Sequence, residues 1–165
     1  MNELEHMQIH YRPIGVIYTP FQTLQGMPIQ PPGARQAAGR VELLPEFAEG
    51  LQDLDGFSHI ILIYHFHQVH EMQLTVMPFL DTHTRGVFAT RAPKRPNPIG
   101  LSIVKLVRVQ ENLLFVENID VLDQTPLLDI KPYVPEFDQP AETRVGWLER
   151  SKGQVTNKKS DDRFL

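Results

Sequence analysis

The sequence predicts a single, mainly β domain, and within that class a closed or nearly closed β-barrel with one or two short helices. The chain has 165 residues, which is enough to bury one hydrophobic core. Its 14 prolines are spread along the chain and leave few uninterrupted helix-length stretches. Its apolar segments are short, rich in β-branched and aromatic residues, and bounded by Gly, Pro, Asn or Asp, which is typical of strands.

Seven segments carry this strand pattern, and one pair of them is joined by the turn-prone residues 110–112. The segments are 14–18, 41–44, 59–66, 87–90, 103–109, 113–118 and 127–130. They predict a barrel domain over residues 1–150, followed by a polar C-terminal tail at 151–165.

One helix is predicted between the second and third strands. Pro45 stands near its start, Phe47, Leu51 and Leu54 give apolar spacings of four and three, and an Asp-Gly pair at 55–56 ends it. The pattern indicates a short amphipathic helix lying against the barrel.

Composition excludes several classes of protein. The chain has no cysteine, which rules out disulfides, thiolate metal sites and a cysteine nucleophile. Its apolar runs are too short to cross a bilayer as a helix, and residues 1–10 lack the basic and apolar regions of a signal peptide. We therefore expect a cytoplasmic protein without a membrane partner.

Positive charge is concentrated in one stretch, although the net charge is −4. Residues 82–110 contain six basic residues and no acidic one. They are Arg85, Arg91, Lys94, Arg95, Lys105 and Arg108. A local basic surface on an acidic protein favours a phosphate-bearing ligand or RNA over a DNA-binding protein. Lys105 and Arg108 have a simpler interpretation, as solvated residues on an exposed strand face.

Three irregular, proline-rich segments stand out as candidate functional loops. They are 27–33, 86–100 and 123–133. The second contains Arg91 and Arg95 among three prolines, which reduce the entropy lost when the loop is ordered. Rigid polar loops on a sheet scaffold commonly carry function.

These segments resemble the TsaA-like family, whose characterised members are the tRNA methyltransferases called TrmO. The resemblance runs from about residue 9 to 145. Its motifs are Ile14-Gly-Val-Ile17, Gly56-Phe-Ser-His59, Phe66-His-Gln68, Gly86-Val-Phe-Ala-Thr-Arg91, Arg95-Pro-Asn-Pro-Ile-Gly100 and Asp129-Ile-Lys-Pro-Tyr133.

The resemblance implies a homodimeric β-barrel enzyme that binds S-adenosylmethionine and methylates N6 of a modified adenosine beside the tRNA anticodon. The absence of a Gly-x-Gly-x-x-Gly loop agrees with a cofactor site outside the Rossmann type. By this resemblance the cofactor site falls on Gln30, Pro31, Pro32, His67, Gln68, Arg91, Asp123, Gln124, Thr125 and Pro126. Gln124 stands where the family often has a small residue.

For the acceptor we expect Asn97 to position the N6 amine and Tyr133 to stack on or hydrogen-bond the base. Arg95, Asp129 and Lys131 are the expected substrate-binding residues. A plain turn former would also explain Asn97, and an aromatic residue at the barrel mouth would also explain Tyr133.

Two other classes of function stay open. His65 and His67 point to the same face of a strand, with Glu71 four residues later, which is a metal-ligand spacing without the rest of a cupin pattern. A non-catalytic module that binds S-adenosylmethionine or RNA is the other class, because longer bacterial members of the family carry an additional C-terminal domain.

Overall fold

Six antiparallel strands close into a barrel in the computed structural model, which describes residues 6–29, 34–79, 81–151 and 159–161. The barrel strands are β1 (Gly15–Tyr18), β2 (Ala38–Leu43), β3 (His59–His65), β6 (Ile99–Gln110), β7 (Leu113–Glu117) and β8 (Thr125–Pro132). Their order around the barrel is β1-β2-β7-β6-β3-β8. The predicted fold class is confirmed.

Alternation along each strand builds the core. In β3, Ile60, Leu62 and Tyr64 point inward and are buried, while the residues between them are half-buried on the outer face. β6 alternates in the same way, with inward Ser102 and Val104 fully buried. The register of this pair places His65 opposite Ile99 and His59 opposite Lys105. The two ends of β3 therefore define the two ends of the barrel.

Residues 66–98, between β3 and β6, form an irregular insertion. Its only strands among the described residues are β4 (Thr75–Val76) and β5 (Arg85–Gly86), which pair with each other. A small separate core of Val76, Val87 and Ala92, with Phe79 packed against it, supports the insertion.

The predicted strand at 87–90 is wrong. Val87–Ala89 form a 3₁₀ turn, in which the Thr90 amide and hydroxyl both donate to the Val87 carbonyl. The β-branched residues at the ends of this segment gave it strand character, but Val87 is used to fill the small core and Thr90 to close the turn.

The predicted helix after β2 is present in a tighter form. It consists of two 3₁₀ segments, Pro45–Leu51 and Leu54–Gly56, separated by Asp53 in the left-handed region with φ at 65°. Leu51 is buried, and Phe47 and Leu54 pack against the barrel core as the spacing predicted. The other helical segments are α1 (Pro135–Asp138) and a 3₁₀ helix at Gly146–Ser151.

Part of the C-terminal region contacts the segment between β1 and β2. The Ser160 carbonyl accepts from the Gly26 amide at 2.9 Å, and the Ser160 amide donates to the Met27 carbonyl at 2.8 Å. Most of the predicted tail lies outside the described residues. Within the described ranges, no helix has the length and apolar character to cross a membrane.

Candidate functional site

A cavity of about 1220 Å³ lies where β3 ends and β6 and β8 begin. Its walls come from the chain after β3, from the start of β6, and from residues 118–125, with the insertion and the C-terminal region along its sides. The lining extends over the outer faces of β6 and β3 as far as Ile103 and His59. Mostly apolar walls with a few convergent polar groups are typical of a small-molecule site.

The cavity brings together part of the predicted site. Predicted residues that line it are His67, Gln68, Arg91, Arg95 and Thr125. Gln30, Pro31 and Pro32 lie outside the described residues, while their neighbours Pro28 and Ile29 line the cavity. The remaining predicted residues do not line it: Asn97, Asp123, Gln124, Pro126, Asp129, Lys131 and Tyr133.

His67 and Thr125 meet across the cavity wall. The Thr125 hydroxyl lies 3.4 Å from His67 Nδ1 and donates to the Leu122 carbonyl at 2.7 Å. Burial, followed by the nearby charge of His65, lowers the pKa of His67 below its ordinary value. At neutral pH the imidazole is therefore neutral and can both donate and accept a hydrogen bond.

Arg95 organises the loop that carries it. Its Nη1 donates to the carbonyls of Val87, Thr90 and Ala92, at 3.1, 2.9 and 3.3 Å. One guanidinium nitrogen thus closes the turn between β5 and β6, an organising role that the sequence analysis did not assign. Phosphate binding by the other nitrogens of Arg95 stays a prediction.

Asn97 lies on the exposed rim of the same loop. Its backbone carbonyl accepts from the Ile99 amide at 2.7 Å, and the Pro98 carbonyl accepts from the Phe66 amide at 2.8 Å. These bonds tie the loop to the end of β3. They also engage both backbone carbonyls, so the side-chain amide is the main polar group that Asn97 presents outward.

Asp123 holds a turn in place. Its Oδ1 accepts from the Thr19 amide at 2.9 Å and its Oδ2 from Gln22 Nε2 at 3.0 Å. Burial acts to raise the pKa of Asp123, but these bonds and those from Gln124 outweigh it and leave the pKa below its ordinary value. Gln124 follows with φ at 60°, a left-handed conformation that a glycine adopts without strain.

The other predicted residues lie on β8 and just beyond it: Asp129 pairs with Ile63 and Lys131 with Ile61 of β3, and Tyr133 reaches the far end of that strand. The Tyr133 amide donates to the His59 carbonyl, and the two rings pack edge to face at 6.3 Å. Lys131 forms an ion pair with Asp129 at 2.9 Å on the outer face of β8. His59 and His65 are six positions apart along β3, about 20 Å, so a single chain does not bring Tyr133 and Asn97 together.

Sequence reasoning missed a buried polar network inside the barrel mouth. The Tyr64 hydroxyl and Ser102 Oγ lie 2.9 Å apart, and Ser102 Oγ donates to Asp120 Oδ1 at 2.6 Å. Burial raises the pKa of Asp120 to about 6. The available signal was Ser102, a polar residue at an inward position of an otherwise apolar strand face, where it needs a buried partner.

Gly100 makes room for this network. A Cβ at this position would lie 2.2 Å from the Tyr64 ring and 2.8 Å from the Phe66 ring. These two rings contact each other edge to face, with centroids 5.5 Å apart. Glycine at the start of β6 therefore lets both rings pack over the strand at the cavity wall.

Within the described part of the chain, no further metal ligand joins His65, His67 and Glu71. No group of three or more His, Asp or Glu side chains there is arranged to hold a metal ion. His67 instead contacts Thr125.

The barrel with a mostly apolar cavity at one end belongs to a defined class of protein. The sequence matches the tRNA-methyltransferase O N-terminal domain over residues 16–139, so the chain belongs to this family. The crystal structure of TrmO from Pseudomonas aeruginosa superimposes with a TM-score of 0.73 at 42% identity, covering 86% of this chain and 63% of that one.

Two relatives illustrate the range of the family. A probable S-adenosyl-L-methionine-binding protein from Pyrococcus abyssi is 52% identical over 96% of this chain and 86% of its own length. A tRNA (adenine(37)-N6)-methyltransferase from Mus musculus is 32% identical over 86% of this chain and only 35% of its own length.

Proposed function

We propose that this chain binds S-adenosylmethionine in the barrel-end cavity and transfers its methyl group to N6 of an adenosine beside the anticodon of tRNA. The observation that carries the proposal is that His67, Gln68, Arg91 and Thr125, predicted from the family motifs, line one cavity. The family membership supports methyl transfer. The mammalian relatives' names support the tRNA adenine as acceptor.

The residues of the cavity fit the chemistry of this ligand. Arg91 supplies a planar cation for the methionine carboxylate. Gln68, Thr125 and neutral His67 supply donors and acceptors for the ribose and adenine, and the apolar walls suit the rest of the molecule. The predicted contributions of Gln30, Pro31 and Pro32, and of the turn from Asp123 to Pro126, belong to the same proposal.

Methyl transfer requires little acid or base catalysis. The acceptor nitrogen forms a bond to the methyl carbon, the carbon–sulfur bond breaks with its electron pair going to sulfur, and one N–H proton passes to solvent. Since the N6 lone pair is delocalised into the ring, positioning of the amine is the main task for the protein. Asn97, on the loop tied down by Arg95, can accept a hydrogen bond from this amine.

The basic run supports an RNA substrate. Residues 82–110 carry six positive charges and no negative one, and their loop borders the cavity. Phosphate contacts of this kind orient nucleic acids without reading sequence. In a homodimer, which we also propose, two such runs would act together.

The test is a titration followed by an assay of methyl transfer. Calorimetry with S-adenosylmethionine should show one site per chain, and the affinity should fall in Arg91→Gln but not in Arg12→Gln, a cation exposed at the other end of the barrel. Incubation with labelled donor and with tRNA from cells that lack the gene for this chain, followed by nucleoside mass spectrometry, should then show N6-methylated adenosine.

The two stages separate the proposal from its alternative. Several archaeal relatives are named S-adenosyl-L-methionine-binding proteins, so binding without any transfer to tRNA would favour a binding module. Absence of binding would reject both functions.

A further inference from the structure

Asp120 is a carboxylate in the cavity wall that forms no ion pair with any residue that the structure describes. Its Oδ1 accepts from Ser102 Oγ. Asp120 is half-buried, and Oδ2 forms no hydrogen bond to another described residue. One carboxylate oxygen is therefore available to a ligand in the cavity.

The surroundings of Asp120 are mostly aromatic and apolar, and the charge of Arg91, another cavity residue, also acts on it. Tyr64 is linked to Asp120 through Ser102, and Phe66 packs edge to face on Tyr64. Asp120, Tyr64 and Phe66 all line the cavity. Val121 and Leu122 continue the wall as buried apolar residues. A desolvated carboxylate beside aromatic rings favours a cation.

The chemistry of the wall also indicates which kind of cation. An ammonium has three N–H donors and a guanidinium has five, and each donor needs an acceptor when water is excluded. A sulfonium carries its positive charge without any N–H or O–H donor. One carboxylate oxygen and two rings are then sufficient, so the wall suits a sulfonium better than an ammonium.

We propose that Asp120, together with the rings of Tyr64 and Phe66, forms the subsite for the sulfonium of S-adenosylmethionine and discriminates the charged methyl donor from its neutral thioether product. This inference rests on the proposed function and assigns specificity within the same cavity. Because the positive charge disappears when the methyl group leaves, the subsite binds the charged donor more tightly than the neutral thioether product.

The test compares the affinities of charged and neutral ligands by calorimetry. Asp120→Asn keeps the size of the side chain and removes its charge. It should weaken binding of S-adenosylmethionine about 10- to 100-fold while the affinity for S-adenosylhomocysteine changes less than about twofold. Sinefungin bears a protonated amine near the position of the sulfonium, so its affinity should also fall in Asp120→Asn, although its N–H donors should make it the weaker ligand of the unaltered protein.

Two further variants make the result specific. Phe66→Leu should weaken S-adenosylmethionine binding about 2- to 10-fold, again with little change for the thioether. Glu117→Gln removes a carboxylate from the outer wall, where it pairs with Lys105, and should leave both affinities unchanged. Thermal denaturation of each variant establishes that it is folded.

Equal losses for both ligands in Asp120→Asn would overturn the inference, since Asp120 would then hold a part that donor and product share. Unchanged affinity for S-adenosylmethionine would overturn it as well. If the unaltered protein binds neither ligand, the proposed function itself fails, and this outcome is recognised without any variant.

Discussion

The cavity end of the barrel and the outer face of β8 hold their polar side chains in different ways. At the cavity end, Asp120 and Asp123 accept hydrogen bonds from groups 18 to 104 residues away along the chain, and Arg95 bonds three backbone carbonyls. On the outer face of β8, Lys131 and Asp129 pair with each other while their side chains are 59% and 47% exposed.

This difference separates a preorganised region from a solvated one. Long-range hydrogen bonds fix polar groups in one geometry before a ligand arrives, which reduces the entropy lost on binding. An exposed ion pair between neighbouring strand residues fixes little and stabilises little. The comparison therefore supports the proposal that the reacting groups lie at the cavity end, and each prediction below tests that proposal.

The largest expected effect concerns Asn97. Asn97→Ala should lower the rate of methyl transfer to tRNA about 100-fold, because it removes a positioned acceptor for the amine, while the affinity for S-adenosylmethionine changes less than about twofold. Tyr133→Phe, at the other end, should leave the rate nearly unchanged. Single-turnover transfer and calorimetry measure the two quantities.

Gln110→Ala is the matched control for Asn97→Ala, since Gln110 is an exposed amide at the β6–β7 turn. A large loss of rate in Tyr133→Phe would break the comparison, because the far end would then reach the reacting base, as it could across two copies of the chain. Equal loss of rate and affinity in Asn97→Ala would remove its positioning role.

The barrel was predictable from sequence because alternation and turn residues are local signals. Residues 59–66, 103–109 and 113–118 were correctly assigned as strands, with boundaries shifted by up to four residues at the start of β6. The strand prediction for residues 87–90 failed because the small core around Val87 is a tertiary feature. Propensity alone does not reveal which apolar side chains fill such a core.

The candidate site was predictable only in part, for a related reason. Motif residues such as His67 and Thr125 could be assigned to one pocket by resemblance, and the cavity brings them together. The link from Tyr64 through Ser102 to Asp120 joins three separate parts of the chain, and no spacing in the sequence encodes it. Likewise, the bonds of Arg95 to carbonyls depend on how the loop folds.

After the effect of Asn97→Ala on rate, the next largest expected effect is on the free energy of unfolding. Arg95→Ala should reduce the free energy of unfolding by about 2 kcal/mol, because it leaves loop carbonyls without their charged donor. Lys131→Ala should cost less than about 0.5 kcal/mol, since it breaks only an exposed ion pair. Urea denaturation compares the two variants. Similar losses in both would mean that the loop at the cavity end and the outer face of β8 are equally well fixed.

The smallest effect concerns the pH dependence of stability. Here the substitution should raise the free energy of unfolding, whereas most substitutions lower it. Burial raises the pKa of Asp120 from 3.8 to about 6, with smaller opposing contributions from the hydrogen bond of Ser102 and, less, from the charge of Arg91. The unfolded chain therefore ionises Asp120 more easily than the folded chain does. This carboxylate reduces stability progressively as the pH rises from about 4 to 6, and the reduction persists above that range.

Asp120→Asn should consequently raise the free energy of unfolding at pH 7 by about 1 to 2 kcal/mol, and the gain should vanish below about pH 4.

Asp81 is the matched control. The hydrogen bond from Arg85, more than those from His83 and Thr82, holds the pKa of Asp81 below its usual range, so Asp81→Asn should lose stability at pH 7. A carboxylate retained at the cavity despite its cost is expected of a ligand-binding group. A loss of stability in Asp120→Asn at pH 7 would instead make Asp120 a structural residue.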